Sequence, residues 1–166
     1  TGTGGVADLV GLDALRPEIH LHRAEPPFFE EDAEDSDQFL ILRFDGQLFF
    51  GNKDYFREQL TKQILKKGSS LKYIILNAEA INYIDSSAVF MLRALIADLK
   101  KDGIRFVVAG AIGPTRDIFH HSRLIDEIGP ENFFADTYQA FTQCKAEGSR
   151  SEMEAKIATQ AAGRFM

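Results

Sequence analysis

The chain has 166 residues, enough for one domain of ordinary size, with 45% hydrophobic and 27% charged side chains. Its 25 acidic and 19 basic side chains give a net charge of -6, which opposes general binding to nucleic acid or anionic lipid. The single cysteine, Cys144, excludes an intramolecular disulfide and a cysteine-built zinc cage.

No apolar run approaches the roughly 18 residues of a membrane span. The start, Thr1-Gly2-Thr3-Gly4-Gly5, has neither the basic flank nor the apolar core of a signal peptide. A Gly-rich start without an initiator methionine reads as a piece of a longer protein. Ile19-His20-Leu21-His22 alternates like a short edge strand and is halted by Pro26-Pro27. The run Glu30 to Asp37 reads as a solvated acidic loop; a calcium site there would lack the central Gly and closing Glu of an EF-hand.

Order begins with Phe39–Phe44. Asp45-Gly46 separates that run from Gln47-Leu48-Phe49-Phe50, which predicts a β-hairpin, since Asp-Gly tolerates the positive φ of a tight turn. Gly51-Asn52 then breaks the strand, with Asn52 placed to cap the next helix through its side-chain oxygen. That helix, Lys53 to Lys67, carries Phe56, Leu60 and Ile64 on one stripe and stops at Gly68. Leu71 to Asn77 is a strand apolar on both faces in its second half, as in a sheet covered on two sides.

A helix from about Ser87 to Lys101 follows, with Val89, Leu92, Ile96 and Leu99 inward and Phe90, Met91 and Leu95 broadening that face. Lys66-Lys67 and Lys100-Lys101 then suit helix C-termini, where cations offset the dipole. Asp102-Gly103 leads to a second buried strand, Ile104 to Gly110. Gly113-Pro114 opens a helix bearing Ile118 and Phe119. Phe133-Phe134 is a last short strand. Asp136 can cap a helix from Thr137 to about Lys145, with Tyr138 and Phe141 inward, and Ser151 with Glu154 has capping-box spacing for a short terminal helix.

Strands alternating with about four helices give one α/β domain, its sheet mostly parallel but mixed because of the hairpin. The expected divisions are an N-terminal extension over 1–37, the domain over 38–145 and a tail over 146–166.

Chemistry concentrates where Asn77 to Val89 leaves a buried strand and enters a helix, the junction at which open α/β sheets tend to bind ligands. Asp85 or Ser86 can cap that helix, which puts Ser87 in the first turn, where free N–H groups favour an anion. Catalysis is not expected. Ser86-Ser87 has no Gly-x-Ser-x-Gly elbow and no evident His partner, adjacent His120-His121 point apart on a helix, and no Gly-rich phosphate loop is present. His20 and His22 would share a strand face, a spacing too sparse for a metal assignment.

Ile84-Asp85-Ser86-Ser87 after a strand resembles the signature of the STAS family, named for sulfate transporters and anti-sigma-factor antagonists. Leu48-Phe49-Phe50-Gly51-Asn52, followed by Tyr55-Phe56-Arg57, resembles its SulP anion-permease branch, and the resemblance covers about residues 38–145. Ala88 stands where the family most often has Gly. Only residues 66–70 separate the first helix from the next strand, so the long insertion of animal relatives is absent and a bacterial-type domain is implied.

The resemblance implies a regulatory, non-catalytic domain at the cytoplasmic face of the membrane, following the transmembrane domain of a sulfate or other inorganic-anion transporter. It maps the antagonists' phospho-acceptor to Ser87, with Asp85 and Ser86 completing the motif. Partners it implies are the parent transmembrane domain, a second copy, or a soluble protein such as acyl carrier protein. It implies no resident cofactor, although a nucleotide has been suggested for some relatives. The alternative within the family is a free-standing anti-sigma-factor antagonist switched by serine phosphorylation.

Overall fold

The computed structural model describes residues 19–21 and 37–164. The acidic run before Asp37, His22 and Pro26-Pro27 therefore lie outside the described residues. The strands are β1 (Ile19–Leu21), β2 (Phe39–Phe44), β3 (Gly46–Leu48), β4 (Tyr73–Asn77), β5 (Ile81–Ile84), β6 (Arg105–Ala109) and β7 (Phe133–Phe134). The helices are α1 (Lys53–Lys67), α2 (Ser86–Lys101), α3 (Gly113–His121), α4 (Leu124–Ile128) and α5 (Thr137–Arg164).

A five-stranded sheet in the order β1-β2-β4-β6-β7 forms the centre, and β3 pairs with β5 in a separate two-stranded ribbon. In the main sheet β2, β4, β6 and β7 run parallel, and β1 is antiparallel to β2. Period-two alternation divides the core between the two faces. Leu40, Leu42, Phe44, Ile74, Leu76, Phe106 and Val108 point toward α1 to α4, where Phe44 meets Phe56 edge-on at 5.4 Å. Phe39, Ile41, Ile75, Val107 and Ala109 point the other way, onto Ala140, Phe141 and Cys144 of α5. The apolar runs read in the sequence are thus strands covered on both sides.

The expected hairpin does not form. Both edges of β2 are already taken, by β1 and β4, so no ladder is left for β3. Only Gly46 of the Asp45-Gly46 pair has positive φ, at 109°, whereas a two-residue type I′ turn needs it at both positions. The glycine carries the chain out of the main sheet, and its N–H donates to Ala80 O at 2.9 Å. The sheet is mixed because of β1, the edge strand that the alternation near Ile19 predicts.

Two further differences concern helices. Phe90 and Tyr138, expected to face inward, are exposed. The last helix does not stop near Lys145 but runs unbroken to Arg164, so Ser151 and Glu154 sit inside it and cap nothing. Its first turn is capped by Asp136, whose Oδ1 accepts from Gln139 N at 2.8 Å.

Helix α5 is pinned to the sheet by Phe141 against Phe39, by Gly148 against the hydroxyl end of Tyr73, and by Glu147 paired with Arg105. The guanidinium of Arg105 holds the Glu147 carboxyl below its ordinary range, overcoming the opposing effect of burial. Beyond Gly148 every described residue of the helix is exposed, and Lys72 meets Glu152 at 3.3 Å in an ion pair open to water.

Stability should follow this division. Phe141→Ala should cost about 3–5 kcal/mol in urea unfolding. Ending the chain after Arg150 should cost under about 1 kcal/mol, the ordinary worth of an exposed ion pair.

Candidate functional site

Both motif segments converge at the end of the β3–β5 ribbon. Leu48 is opposite Ile84 in parallel register, and Asp85 N donates to Leu48 O at 3.1 Å. The two segments, separate in sequence, therefore leave the ribbon side by side. One enters the Phe49–Asn52 turn and α1, the other enters α2 directly.

Asp85 is the N-cap of α2, in extended backbone. Its Oδ1 accepts from Ala88 N and from Ser87 Oγ, both at 2.8 Å, and its Oδ2 accepts from Phe50 N at 2.9 Å. One carboxylate thus caps a helix, orients the serine hydroxyl and ties down a turn 35 residues away in sequence. Partial burial works against the charged form, but the N–H groups of Ala88, Phe50 and Ser87 and the Ser87 hydroxyl outweigh it, so the Asp85 carboxyl is held below the ordinary carboxylate range.

Ser87 is half-buried and Ser86 is exposed. The anion-favouring position at the start of α2 is already filled by the Asp85 carboxylate. Any further anion at Ser87 must compete with it.

Asn52 is the N-cap residue of α1, but its side chain does not cap as the sequence predicts. It is 2% exposed and faces back into its own turn: Oδ1 accepts from Phe49 N at 2.9 Å and Nδ2 donates to Gln47 O at 2.7 Å. The turn needs this because its backbone reverses sharply, with Asn52 N and Lys53 N both donating to Phe49 O. Leu48 is buried beneath the turn, Phe49 is half-buried and Gly51 is exposed.

Phe50 is 75% exposed at the tip, with Lys53 Nζ 5.9 Å from its ring centre. On α2, Phe90 is 73% exposed and follows Ser86 by one helical turn, on the same side of the helix. The site is therefore a partly polar helix start flanked by two bare aromatic rings. Elsewhere, His120 and His121 are both exposed in the last turn of α3.

Strand β5 and the Asp85–Phe50 bond were not foreseen from the sequence. Ile81 and Ile84 are buried with Asn82 and Tyr83 exposed between them, a four-residue pattern too short to distinguish from a loop. The β-branched residues at both of its ends were the signal available.

Replacing Asp85 with Ala should destabilise the domain by about 1–3 kcal/mol, because a cap is lost and the Phe50 amide loses its acceptor. Ser87→Ala should cost under about 1 kcal/mol in the same urea titration. The carboxyl's folded-state pKa is depressed, so its contribution is present above the unfolded value of about 4 and is lost as pH falls through the folded value. In Asp85→Asn that part of the acid dependence should vanish.

The STAS domain family model matches residues 31–140. Sulfate transporter 1.1 of Arabidopsis thaliana is 24% identical over 124 residues, covering 70% of this chain and 19% of that protein. The chain thus spans about a fifth of that relative's length.

Among solved structures, the SulP transporter STAS domain from Vibrio cholerae superposes with a TM-score of 0.57 at 18% identity, covering 68% of this chain and 85% of that one. The phosphorylated form of the Bacillus cell fate determinant SpoIIAA gives a TM-score of 0.53 at 18% identity, covering 76% and 99%. These two likenesses are likenesses of fold.

Proposed function

The chain belongs to the STAS domain family, and from that premise we propose that it is the non-catalytic regulatory domain of a SulP-type sulfate or inorganic-anion transporter, working at the cytoplasmic face of the membrane. Among the described residues no helix is long and apolar enough to cross a bilayer.

The observation that carries this reading is the junction of two motifs. The Leu48–Asn52 segment, the part that resembles the SulP branch, is hydrogen-bonded through Phe50 to Asp85 of the STAS signature. Phe50, in the turn, and Phe90, one turn into the helix, are both exposed beside this junction and would supply its contact with a partner. Curated relatives named as sulfate transporters, from plants and bacteria, support the choice of branch.

Within this reading Ser87 is the residue through which the domain is switched. It is half-buried at the helix start, and a protein of the same fold exists in a phosphorylated form. A free-standing antagonist would use the same serine, and the likeness to nearly the whole SpoIIAA chain favours that as the second reading.

The test is uptake of labelled sulfate by cells expressing the full-length permease that carries this domain. Phe50→Ala with Phe90→Ala leaves the core untouched, and should change the uptake rate by about fivefold or more at equal membrane abundance, the scale of an ordinary coupling between sites. An unchanged rate would remove the regulatory reading. A full-length gene product with no membrane spans would favour the antagonist instead.

A further inference from the structure

We propose that phosphorylation of Ser87 is relayed by the Asp85 carboxylate to Phe50, so that the modification frees the aromatic tip of the Phe49–Asn52 turn from the start of α2. The proposal rests on the reading of Ser87 as a phospho-acceptor and adds to it a structural consequence.

The chemical step is ordinary phosphoryl transfer. A protein kinase brings a nucleoside triphosphate, the Ser87 Oγ–P bond forms, and the bond from the γ-phosphorus to its bridging oxygen breaks. The nucleoside diphosphate leaves, and the hydroxyl proton passes to a base on the kinase. The product has lost the one proton that Ser87 Oγ donates to Asp85 Oδ1. In its place stand about 1.5 to 2 negative charges beside a carboxylate.

Two anions cannot share one set of donors. The carboxylate loses one of the donors that held it in place, the Ser87 hydroxyl, and meets like charge at the same point. It must turn away. The N–H groups at the start of α2, including Ala88 N, then pass to the phosphoryl oxygens, as helix N-termini favour. Phe50 N has no such substitute, because its acceptor is Asp85 Oδ2.

The rest of the turn is held independently. Asn52 keeps its bonds to Phe49 N and Gln47 O, and neither involves Asp85. Release is therefore confined to the tip, where the Phe50 ring is mostly in water. The arrangement gives a local switch with its own internal reference: the amide of Phe50 responds and that of Phe49 does not.

The experiment is amide hydrogen exchange by NMR on this chain, unmodified and with phosphoserine installed at position 87 by genetic-code expansion. Exchange at Phe50 should quicken about tenfold, the scale of losing one hydrogen bond, while Phe49 stays within twofold. Ser87→Ala should leave Phe50 protected, because the carboxylate remains in place. Ser87→Asp serves as the second variant if phosphoserine unfolds α2, which would show as lost protection at Leu92 and Ile96. It should quicken Phe50 in the same direction.

Unaltered Phe50 exchange in a folded phosphoserine or Ser87→Asp protein overturns the relay. Equal quickening at Phe49 overturns it too, since the whole turn would then be melting. Because the phosphoryl group is installed directly, this result stands apart from whether cells modify Ser87. Mass spectrometry of the full-length protein from cells decides that, and an absent phosphopeptide would remove the switch reading while leaving the measured coupling intact.

Discussion

A single carboxylate holds together the part of this protein on which its functional reading depends. Asp85 supplies the missing acceptor at the start of α2 and, with its second oxygen, the acceptor for a backbone N–H in another segment. Helix starts always carry unsatisfied donors, and short turns always carry amides that need partners. Here the two deficits are met by one side chain. The geometry requires parallel pairing of β3 with β5, since only that register delivers Leu48 and Ile84 to the same level before their chains diverge.

The scaffold around the site explains why it can be so small. The parallel strands β2, β4 and β6 are buried on both faces, and α5 covers one face alone while α1 to α4 cover the other. The central sheet is thus covered on both faces, and the ribbon adds its apolar side chains to the larger of the two core clusters. The ribbon rests on the rim of the core, with Leu48, Ile81 and Ile84 buried beneath it and its polar and aromatic side chains outward. Segments placed this way can vary their exposed residues without disturbing the sheet, as functional loops on rigid frames commonly do.

Much of this was legible from residue patterns, and the failures have physical causes. The strands β4 and β6 and the stripe of α1 follow from apolar spacing, because burial on known faces dictates it, and the opening of α3 follows from Pro114 in its first turn. Asp45-Gly46 misled because local turn preference cannot know that both edges of β2 are occupied. The Ser151–Glu154 pair suggested a separate terminal helix, yet α5 runs unbroken through Gly148, where Tyr73 packs closely against it.

Asn52 looked like a helix cap, and is one by position, but its side chain serves the turn before it. At the site, Asp85 and Ser87 were legible as residues, whereas their link to Phe50 was not. A side chain bonding a distant backbone leaves no periodic trace in the sequence.

The direction of the edge strand has an effect of its own. Because β1 runs against β2, Ile19 lies opposite Phe44, at the end of the sheet where the parallel strands finish. Helix α5 travels the other way, reaching Arg105 at the opposite end of the sheet by Glu147. The polypeptide is therefore threaded through the domain with a polarity: it comes in on the side of Asp85 and goes out on the far side. A segment running into β1 is delivered to the same end of the sheet as Ser87 and Phe50. Whatever follows α5 is held away from them by the length of the domain and a projecting rod of helix.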